Sequence, residues 1–253
     1  MANKYKSSFN RPKPKITPRK TGLDLIDDDL NQPMQMFHSN TKYIRQLINS
    51  DTEDINIYRY CIVLICATMD KYMHDIEKAV ILQIFRGKAQ PGKNFDSFLI
   101  PITVLNSFDK NNFNMIEKEK ILSDAIYEVT SNYTIQKSTS IDRNMNYILD
   151  FNIWKAIQPR MTMRFKHLNS ITQMKKYIDE LVDRRNSIVH ELDFRPNSSN
   201  RNDLSKDFVS NALEIIQYFI ESVNYQIVHS IISSPEDINF STGNENFDDI
   251  SNT

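Results

Sequence analysis

The chain has 253 residues, of which 40% are hydrophobic and 25% charged, and its 31 basic and 32 acidic side chains nearly cancel. This composition fits a globular protein with a sizeable core, and the net charge points to no particular binding partner. Only four glycines occur, and none lies between positions 93 and 242. Because phosphate-binding loops need clustered glycines, P-loop and dinucleotide-binding proteins are excluded, and glycine-rich sandwiches and barrels are disfavoured.

Long stretches without glycine or proline predict long helices, because proline breaks helix interiors. We therefore expect an all-α fold, a bundle of about five helices between two flexible tails. The N-terminal arm, 1–40, carries seven basic and no acidic side chains in its first twenty positions. The C-terminal tail, 233–253, is acidic without any basic residue. Both tails are predicted to be disordered for most of their length, and the folded domain is predicted to span 41–232.

The spacing of apolar residues predicts helices over 41–49, 55–86, 114–130, 147–157, 171–192 and 204–232. The segments 87–112 and 131–146 are interpreted as connections. Trp154 is expected to anchor the core, and Asp203 or Ser205 to cap the last helix. A short turn joins the last two helices, so we expect them to pack antiparallel to each other.

Cysteine content and hydropathy bear on disulfides, metal sites and the cellular compartment. Cys61 and Cys66 lie five residues apart in one predicted helix, about 140° around its axis, so they cannot bond to each other within it. We interpret them as small buried apolar side chains. No CxxC pair and no HExxH occurs, so no metal and no cofactor is predicted. No apolar run reaches the ~20 residues of a membrane helix and no signal-peptide core is present, so a cytoplasmic protein is expected.

The helix predicted over 171–192 has an arginine within its apolar stripe. Arg185 follows Leu181 by four residues and precedes Ile188 by three. A guanidinium facing the core is costly unless it is paired or lies in a cleft. Arg185 therefore extends to the rim of the bundle, pairs with an acid across it, or belongs to a functional site. The apolar stripe itself consists of Ile171, Met174, Ile178, Leu181, Ile188 and Leu192.

A neighbouring polar face carries Asn186 and His190, four residues apart. The segment Arg185-Asn-Ser-Ile-Val-His190 has the R-N-x-x-x-H form of the motif that characterises HEPN domains. As in that family, the motif ends one long helix, and a second long amphipathic helix follows after a turn. Upstream, the segment Ala67–Ile76 is similar to the first-helix segment of the RiboL-PSP subgroup. The chain therefore resembles the RiboL-PSP-HEPN proteins.

This resemblance implies a metal-independent endoribonuclease that acts as a homodimer on an RNA substrate. His190 would transfer protons near neutral pH, and Arg185 would stabilise the charge on the phosphate. Asn186 would orient the histidine or bind the phosphate or ribose. The resemblance also implies a toxin or an abortive-infection effector of antiviral defence, with an antitoxin or a defence-system protein as partner.

Further residues are candidates for the cleft around the motif. They are Asp70, His74 and Asp75 on the first long helix and Arg184 beside the motif. His74 lies either across the cleft from Arg185 or on an ordinary, partly exposed helix face. In addition, Glu191 and Asp193 are expected to place negative charge beside His190, which would stabilise the charged imidazole or repel RNA.

A separate basic segment contains Arg160, Arg164 and Lys166, interleaved with apolar side chains. It predicts an RNA-contacting edge, or alternatively a solvated surface. Two other functions also stay open for the chain: a non-catalytic HEPN module that binds nucleotide, RNA or protein, and a structural helical adaptor. An enzyme requires Arg185 and His190 to be exposed in one basic cleft, whereas an adaptor would bury them or point them apart.

Overall fold

The computed structural model describes residues 28–50, 54–110 and 113–232. Within these ranges it contains eight α-helices and no β-strand, so the all-α prediction is confirmed and the expected number of about five helices is too low. The helices are α1 (Asp28–Ile48), α2 (Ile55–Phe85), α3 (Ile102–Lys110), α4 (Met115–Thr130), α5 (Ser138–Ile148), α6 (Ile153–Arg164), α7 (Ile171–Glu191) and α8 (Lys206–Ile232). None of these eight helices has the length and apolar composition needed to cross a lipid bilayer.

The central helix is α2, against which α1, α7 and α8 all pack. Its N-cap is Asp54, whose side chain accepts a hydrogen bond from the backbone N–H of Asn56. It ends just before Gly87, whose φ of 72° is the left-handed conformation that commonly ends helices. The apolar row predicted for this helix forms the middle of the core, since Ile62, Ile65, Met69, Met73, Ile76 and Val80 are each at most 1% exposed. Both cysteines of α2 are buried and free.

The N-terminal boundary of the folded domain lies earlier than predicted. Helix α1 begins at Asp28, so 28–40, assigned from sequence to the arm, is helical. Pro33 lies inside this helix and costs it one backbone hydrogen bond. Leu30, Pro33 and Phe37 are buried against the core, and their burial offsets that cost. The rest of the arm, 1–27, and the acidic tail, 233–253, lie outside the described residues.

Both predicted connections contain helices. The segment 87–112 includes a short 3-10 helix, Phe95–Ser97, and most of it after position 101 is α3. The segment 131–146 includes most of α5. Helix α5 is polar overall, but Ile141, Met145 and Ile148 recur every three or four residues on its buried face. The helix was not predicted from the sequence because few of its residues are apolar.

The helix predicted over 147–157 is displaced along the chain, since α6 begins at Ile153 and continues past Pro159. The side chain of Asn152 caps it by accepting a hydrogen bond from Lys155 N. Trp154 is fully buried, as expected for a core anchor. Its indole Nε1 donates to Asp142 of α5 over 2.5 Å, which ties α6 to α5.

The predicted packing of α7 on α8 is wrong, because α7 packs mainly on α2, whereas α8 packs on α1, α2 and α6. The connection between them folds back on itself through an antiparallel bridge of Phe194 with Arg201. Arg201 also donates to Asn56 at the start of α2 over 2.7 Å, so the connection is held over the end of the central helix. As predicted, Ser205 caps α8, its hydroxyl accepting a hydrogen bond from Phe208 N over 3.2 Å.

Candidate active site

The helix that carries the motif, α7, is capped by Ser170, whose hydroxyl accepts a hydrogen bond from Gln173 N. Its predicted apolar stripe is buried at Met174, Ile178 and Leu181, and Ile188 packs against the core as a half-buried residue. Leu192 is the exception. It follows the last residue of the helix with φ 52°, and 60% of it is exposed. The left-handed turn at the end of α7 directs this side chain away from the core.

Arg185 is half-buried, and among the described residues no carboxylate lies within 4.0 Å of its guanidinium. Its Nη1 donates to Oδ1 of Asn186 over 2.9 Å. Its Nε is buried and has no hydrogen-bond partner in the described part of the chain. Since no described carboxylate neutralises the guanidinium, its charge is available to an anionic ligand. The sequence allowed Arg185 to pair with an acid across the bundle, and no such pair occurs among the described residues.

The side chain of Cys66 places Arg185 beside α2. Burial raises the pKa of the Cys66 thiol to about 12, and the positive charge of Arg185 opposes this shift. The carboxylate of Asp70 acts on the same thiol in the opposite direction. Arg185 of α7 and Asp70 of α2 therefore act on the same buried thiol with opposite charges.

His190 is exposed in the last turn of α7 and makes no hydrogen bond with any described residue. It lies four residues after Asn186, hence on the same face of the helix. It lies five residues after Arg185, a step of about 140° around the axis. Asn186 therefore bonds to the guanidinium of Arg185 and lies on the same helix face as His190.

The turn after α7 is held by a buried carboxylate. Asp193 is 0% exposed and accepts hydrogen bonds from Arg59 Nε over 2.8 Å and Arg184 Nη2 over 2.9 Å. Asn202 Nδ2 donates to the same side chain over 3.2 Å. The expectation that Asp193 places negative charge beside His190 is therefore wrong, since this carboxylate is turned inward and paired with two arginines. Arg184, a candidate for the cleft, is engaged in this ion pair.

This cluster was missed in the sequence, because Arg59 and Asp193 are 134 positions apart and belong to no common periodic pattern. The residues around Asp193 do not indicate its burial either, since an acid just after a helix usually faces solvent. Glu191, the other acid near the motif, accepts a hydrogen bond from the Ser187 hydroxyl over 3.1 Å.

The candidates on α2 separate into two surfaces. Asp70 accepts hydrogen bonds from Ile135 N over 2.6 Å and from Gln136 over 3.2 Å, and its Oδ1 lies 3.6 Å from His74 Nε2. Burial lowers the pKa of His74, and the Asp70 carboxylate opposes that shift. Asp75, in contrast, forms an ion pair with Lys71 over 2.5 Å in a groove against α1. The structure records no hydrogen bond or ion pair between His74 and Arg185.

Glu77, three residues after His74, was not identified from the sequence. It is 0% exposed, and neither carboxylate oxygen has a hydrogen-bond partner among the described residues. Burial raises its pKa to about 8, and the charge of Arg143 opposes this shift. Near neutral pH this carboxyl group is therefore largely protonated. Glu77 lies among apolar residues of α2, and the sequence pattern does not indicate that Arg143 and Tyr133 lie near it.

The basic segment of α6 does not form a uniform charged edge. Arg164 pairs with Glu214 over 2.6 Å, and Arg160 lies over the rings of two tyrosines of α8. Lys166 follows the helix and is exposed. No group of three or more histidine, cysteine, aspartate or glutamate side chains in the described ranges is placed to hold a metal ion.

These observations define a class of protein: an all-α bundle in which the penultimate helix of the described ranges ends in R-N-x-x-x-H beside the central helix. The family model described as RiboL-PSP-HEPN matches residues 38–229, from α1 to α8. The chain therefore belongs to the RiboL-PSP-HEPN family. No curated protein and no solved structure matches it.

Proposed function

We propose that this protein is an endoribonuclease that cleaves RNA without a metal ion, with Arg185, Asn186 and His190 as its catalytic residues. The observation that carries the proposal is the state of Arg185: half-buried, without a carboxylate partner among the described residues, and bonded to Asn186. An uncompensated guanidinium in this position suits a phosphodiester anion. Membership of a HEPN family supports RNA as the substrate.

The proposed reaction is a transesterification within the RNA. A base removes the proton of a ribose 2′-hydroxyl, whose oxygen forms a bond to the adjacent phosphorus. The bond from phosphorus to the 5′-oxygen breaks, and an acid protonates that oxygen. The products are a 2′,3′-cyclic phosphate and a 5′-hydroxyl end. The imidazole of His190 suits either proton transfer, and Arg185 stabilises the negative charge that builds on the phosphate oxygens.

We further propose that the active enzyme is a homodimer. One chain supplies a single motif histidine, whereas the reaction needs both a base and an acid. Three apolar side chains flank His190 on the surface: Val189, Leu192 and Phe194, exposed by 43%, 60% and 37%. Exposed apolar residues clustered beside a site are typical of an interface. A second copy packed on them would bring two motifs to one scissile phosphate.

In the cell, we propose that the enzyme acts in the cytoplasm as a toxin or an abortive-infection effector. Cleavage of cellular RNA arrests growth, so such an enzyme would need an antitoxin or a defence-system protein to restrain or trigger it. This part of the proposal is supported by the likeness to HEPN proteins alone.

A non-catalytic HEPN module is the second candidate. One observation favours it: no hydrogen bond joins Arg185 to His190, and the two lie about 140° apart on an ideal helix. In such a module, Arg185 and Asn186 would bind a nucleotide or RNA phosphate, and His190 would take no part in chemistry.

Incubation of the purified full chain with total RNA in EDTA, followed by mapping of the cut ends, separates the two candidates. The enzyme is expected to leave 2′,3′-cyclic phosphate and 5′-hydroxyl ends in the presence of the chelator. Binding of RNA without any cuts would support the module. Cleavage that needs added magnesium and leaves 3′-hydroxyl ends would contradict the proposed mechanism.

A further inference from the structure

A row of planar side chains lies on the surface where α6 packs against α8. The guanidinium of Arg160 is 4.7 Å from the ring centre of Tyr225 and 5.9 Å from that of Tyr218. His229, one turn after Tyr225, stacks on its ring with the centres 5.7 Å apart and the planes inclined by 11°. We name these four residues the stacking row.

The stacking row is accessible to a ligand. Tyr225 is 48% exposed, His229 is also exposed, and Arg160 and Tyr218 are half-buried. In a protein core such rings would be covered by apolar side chains, whereas here the parallel pair of Tyr225 and His229 ends at the surface. The exposed end of the stack can therefore be extended by another flat ring.

The charge of the row is not compensated. No carboxylate among the described residues lies within 4.0 Å of Arg160, and its buried Nε has no hydrogen-bond partner there. Two acids of α8 lie near the row, and both have other partners: Glu214 pairs with Arg164, and Glu221 accepts a hydrogen bond from Gln217 over 3.0 Å and lies 3.8 Å from His38 Nδ1. Lys166, just beyond α6, is exposed and forms no ion pair within the described ranges. A stack of rings beside an unpaired cation suits a ligand with flat bases on an anionic backbone.

The row is remote from the end of the motif helix, where His190 lies. Tyr72 of α2 bonds to Asn224, next to Tyr225, over 3.1 Å, whereas Arg59 of α2 bonds to Asp193 at the end of the motif helix. Arg59 and Tyr72 are thirteen positions apart, which is about 20 Å along the helix. A single ligand that reaches both His190 and the row must be long, as a single strand of RNA is.

From this geometry we infer that the stacking row is a second RNA-binding site, at which unpaired bases of single-stranded RNA stack on Tyr225 and His229 while Arg160 attracts the backbone. Aromatic rings stack on every base, so this site would hold RNA with little sequence preference. The inference rests on the proposed function for its choice of RNA as ligand. It adds a site that positions a long substrate away from the point of cleavage.

The test is the affinity of the full-length chain for fluorescein-labelled polyuridylate, measured by anisotropy with His190→Ala in every protein so that the RNA stays intact. Tyr225→Ala is expected to raise Kd about fivefold or more, since base stacking on an aromatic ring contributes to that extent. Tyr225→Phe keeps the ring and should bind like its parent. Tyr127→Ala, which removes an exposed tyrosine from α4, is the matched control and should also bind like its parent. Should Tyr225→Ala fail to fold, His229→Ala at the end of the stack replaces it, with the same expectation.

An unchanged Kd in folded Tyr225→Ala, or an equal loss in Tyr127→Ala, would overturn the inference. A second measurement keeps it separate from the proposed function: cleavage of the dinucleotide UpU, with His190 intact. This substrate is too short to reach the row, so Tyr225→Ala should cleave it at the wild-type rate, and a loss of that rate would also overturn the second site. If the wild-type protein cleaves no RNA, the proposed function fails, while the anisotropy series still decides on the stacking row.

Discussion

Arg185 donates a hydrogen bond to Asn186, its neighbour in the chain, over 2.9 Å. The amide fixes one arm of the guanidinium fork on the polar face that also carries His190. The same guanidinium makes no ion pair with any described residue. A cation fixed by a neutral group keeps its full charge for a ligand, whereas a carboxylate in the place of Asn186 would neutralise it.

Arg185→Lys is expected to reduce RNA cleavage by about tenfold or more, because lysine keeps the charge but loses the planar fork that contacts two phosphate oxygens. The melting temperature should stay close to that of the wild type, since the arginine has no ion pair to lose. Arg45→Lys on α1, whose arginine donates to Gln217, is the matched control and should cleave normally. A large fall in melting temperature in Arg185→Lys would show that the arginine is structural.

Asp193→Asn is expected to destabilise the protein by about 3 kcal/mol, because it leaves Arg59 and Arg184 without their buried counter-charge. Thermal or urea unfolding measures this loss. Asp203→Asn is the matched control: its side chain is 97% exposed and pairs with Arg195 at the surface, so its unfolding should change by less than about 1 kcal/mol. Equal stability of Asp193→Asn and the wild type would refute the role given to this carboxylate.

Leu192→Asp is expected to weaken the proposed dimer and, with it, RNA cleavage. The substitution puts a charge on the apolar surface next to His190, and aspartate tolerates the left-handed conformation found at this position. Sedimentation at micromolar concentration should show a dimer for the wild type and mostly monomer for the variant. Ile116→Asp changes a still more exposed apolar residue on α4 and should leave the dimer intact. A wild-type protein that is monomeric with and without RNA would contradict the shared site.

Glu77→Gln is expected to change how stability depends on pH. Burial raises the pKa of Glu77 from 4.5 to about 8, so its carboxyl group is neutral in the fold but ionised in the unfolded chain between these values. The unfolded state then binds fewer protons, and the wild-type free energy of unfolding should fall as pH rises from about 5 to about 8, by up to ~1.4 kcal/mol per pH unit from this group. Arg143, Tyr133 and His74 surround this part of α2 and are the same in both proteins.

The measurement is the difference in free energy of unfolding between wild type and Glu77→Gln at several pH values. The wild type should gain stability relative to the variant as pH is lowered, and the gain should level off below about 4.5. A difference that is constant from pH 5 to pH 8 would show that Glu77 has an ordinary pKa.

The long helices could be predicted from the sequence because their burial is periodic and uninterrupted. The apolar row of α2 gave its position within a few residues, and the same holds for α7 and α8. Helix α5 was missed because few of its residues are apolar, and only its contacts with α2 and α7 show which face is buried. The pairing of α7 with α8 was predicted from a general rule for short connections, whereas in the fold α7 packs on α2, and α8 packs on α1, α2 and α6.

Some residues of the candidate site could likewise be predicted from the sequence, and others could not. Arg185 could be singled out because a cation interrupts an apolar stripe, and Asn186 and His190 follow from their spacing on one helix. The partners of Asp193 and the environment of Glu77 depend on side chains from distant segments, so no local pattern encodes them. Leu192 was assigned to the apolar stripe because spacing alone does not reveal that the helix ends one residue earlier.

The most direct test of the central claim is the rate of RNA cleavage by His190→Ala, measured together with its melting temperature. Because His190 is exposed and bonds to no described residue, the variant should fold and melt like the wild type. Its cleavage rate should fall on the order of 10²- to 10⁴-fold, the usual contribution of a general acid or base. A folded His190→Ala protein that cleaves RNA at the wild-type rate would contradict the assignment of His190 as the proton-transfer residue.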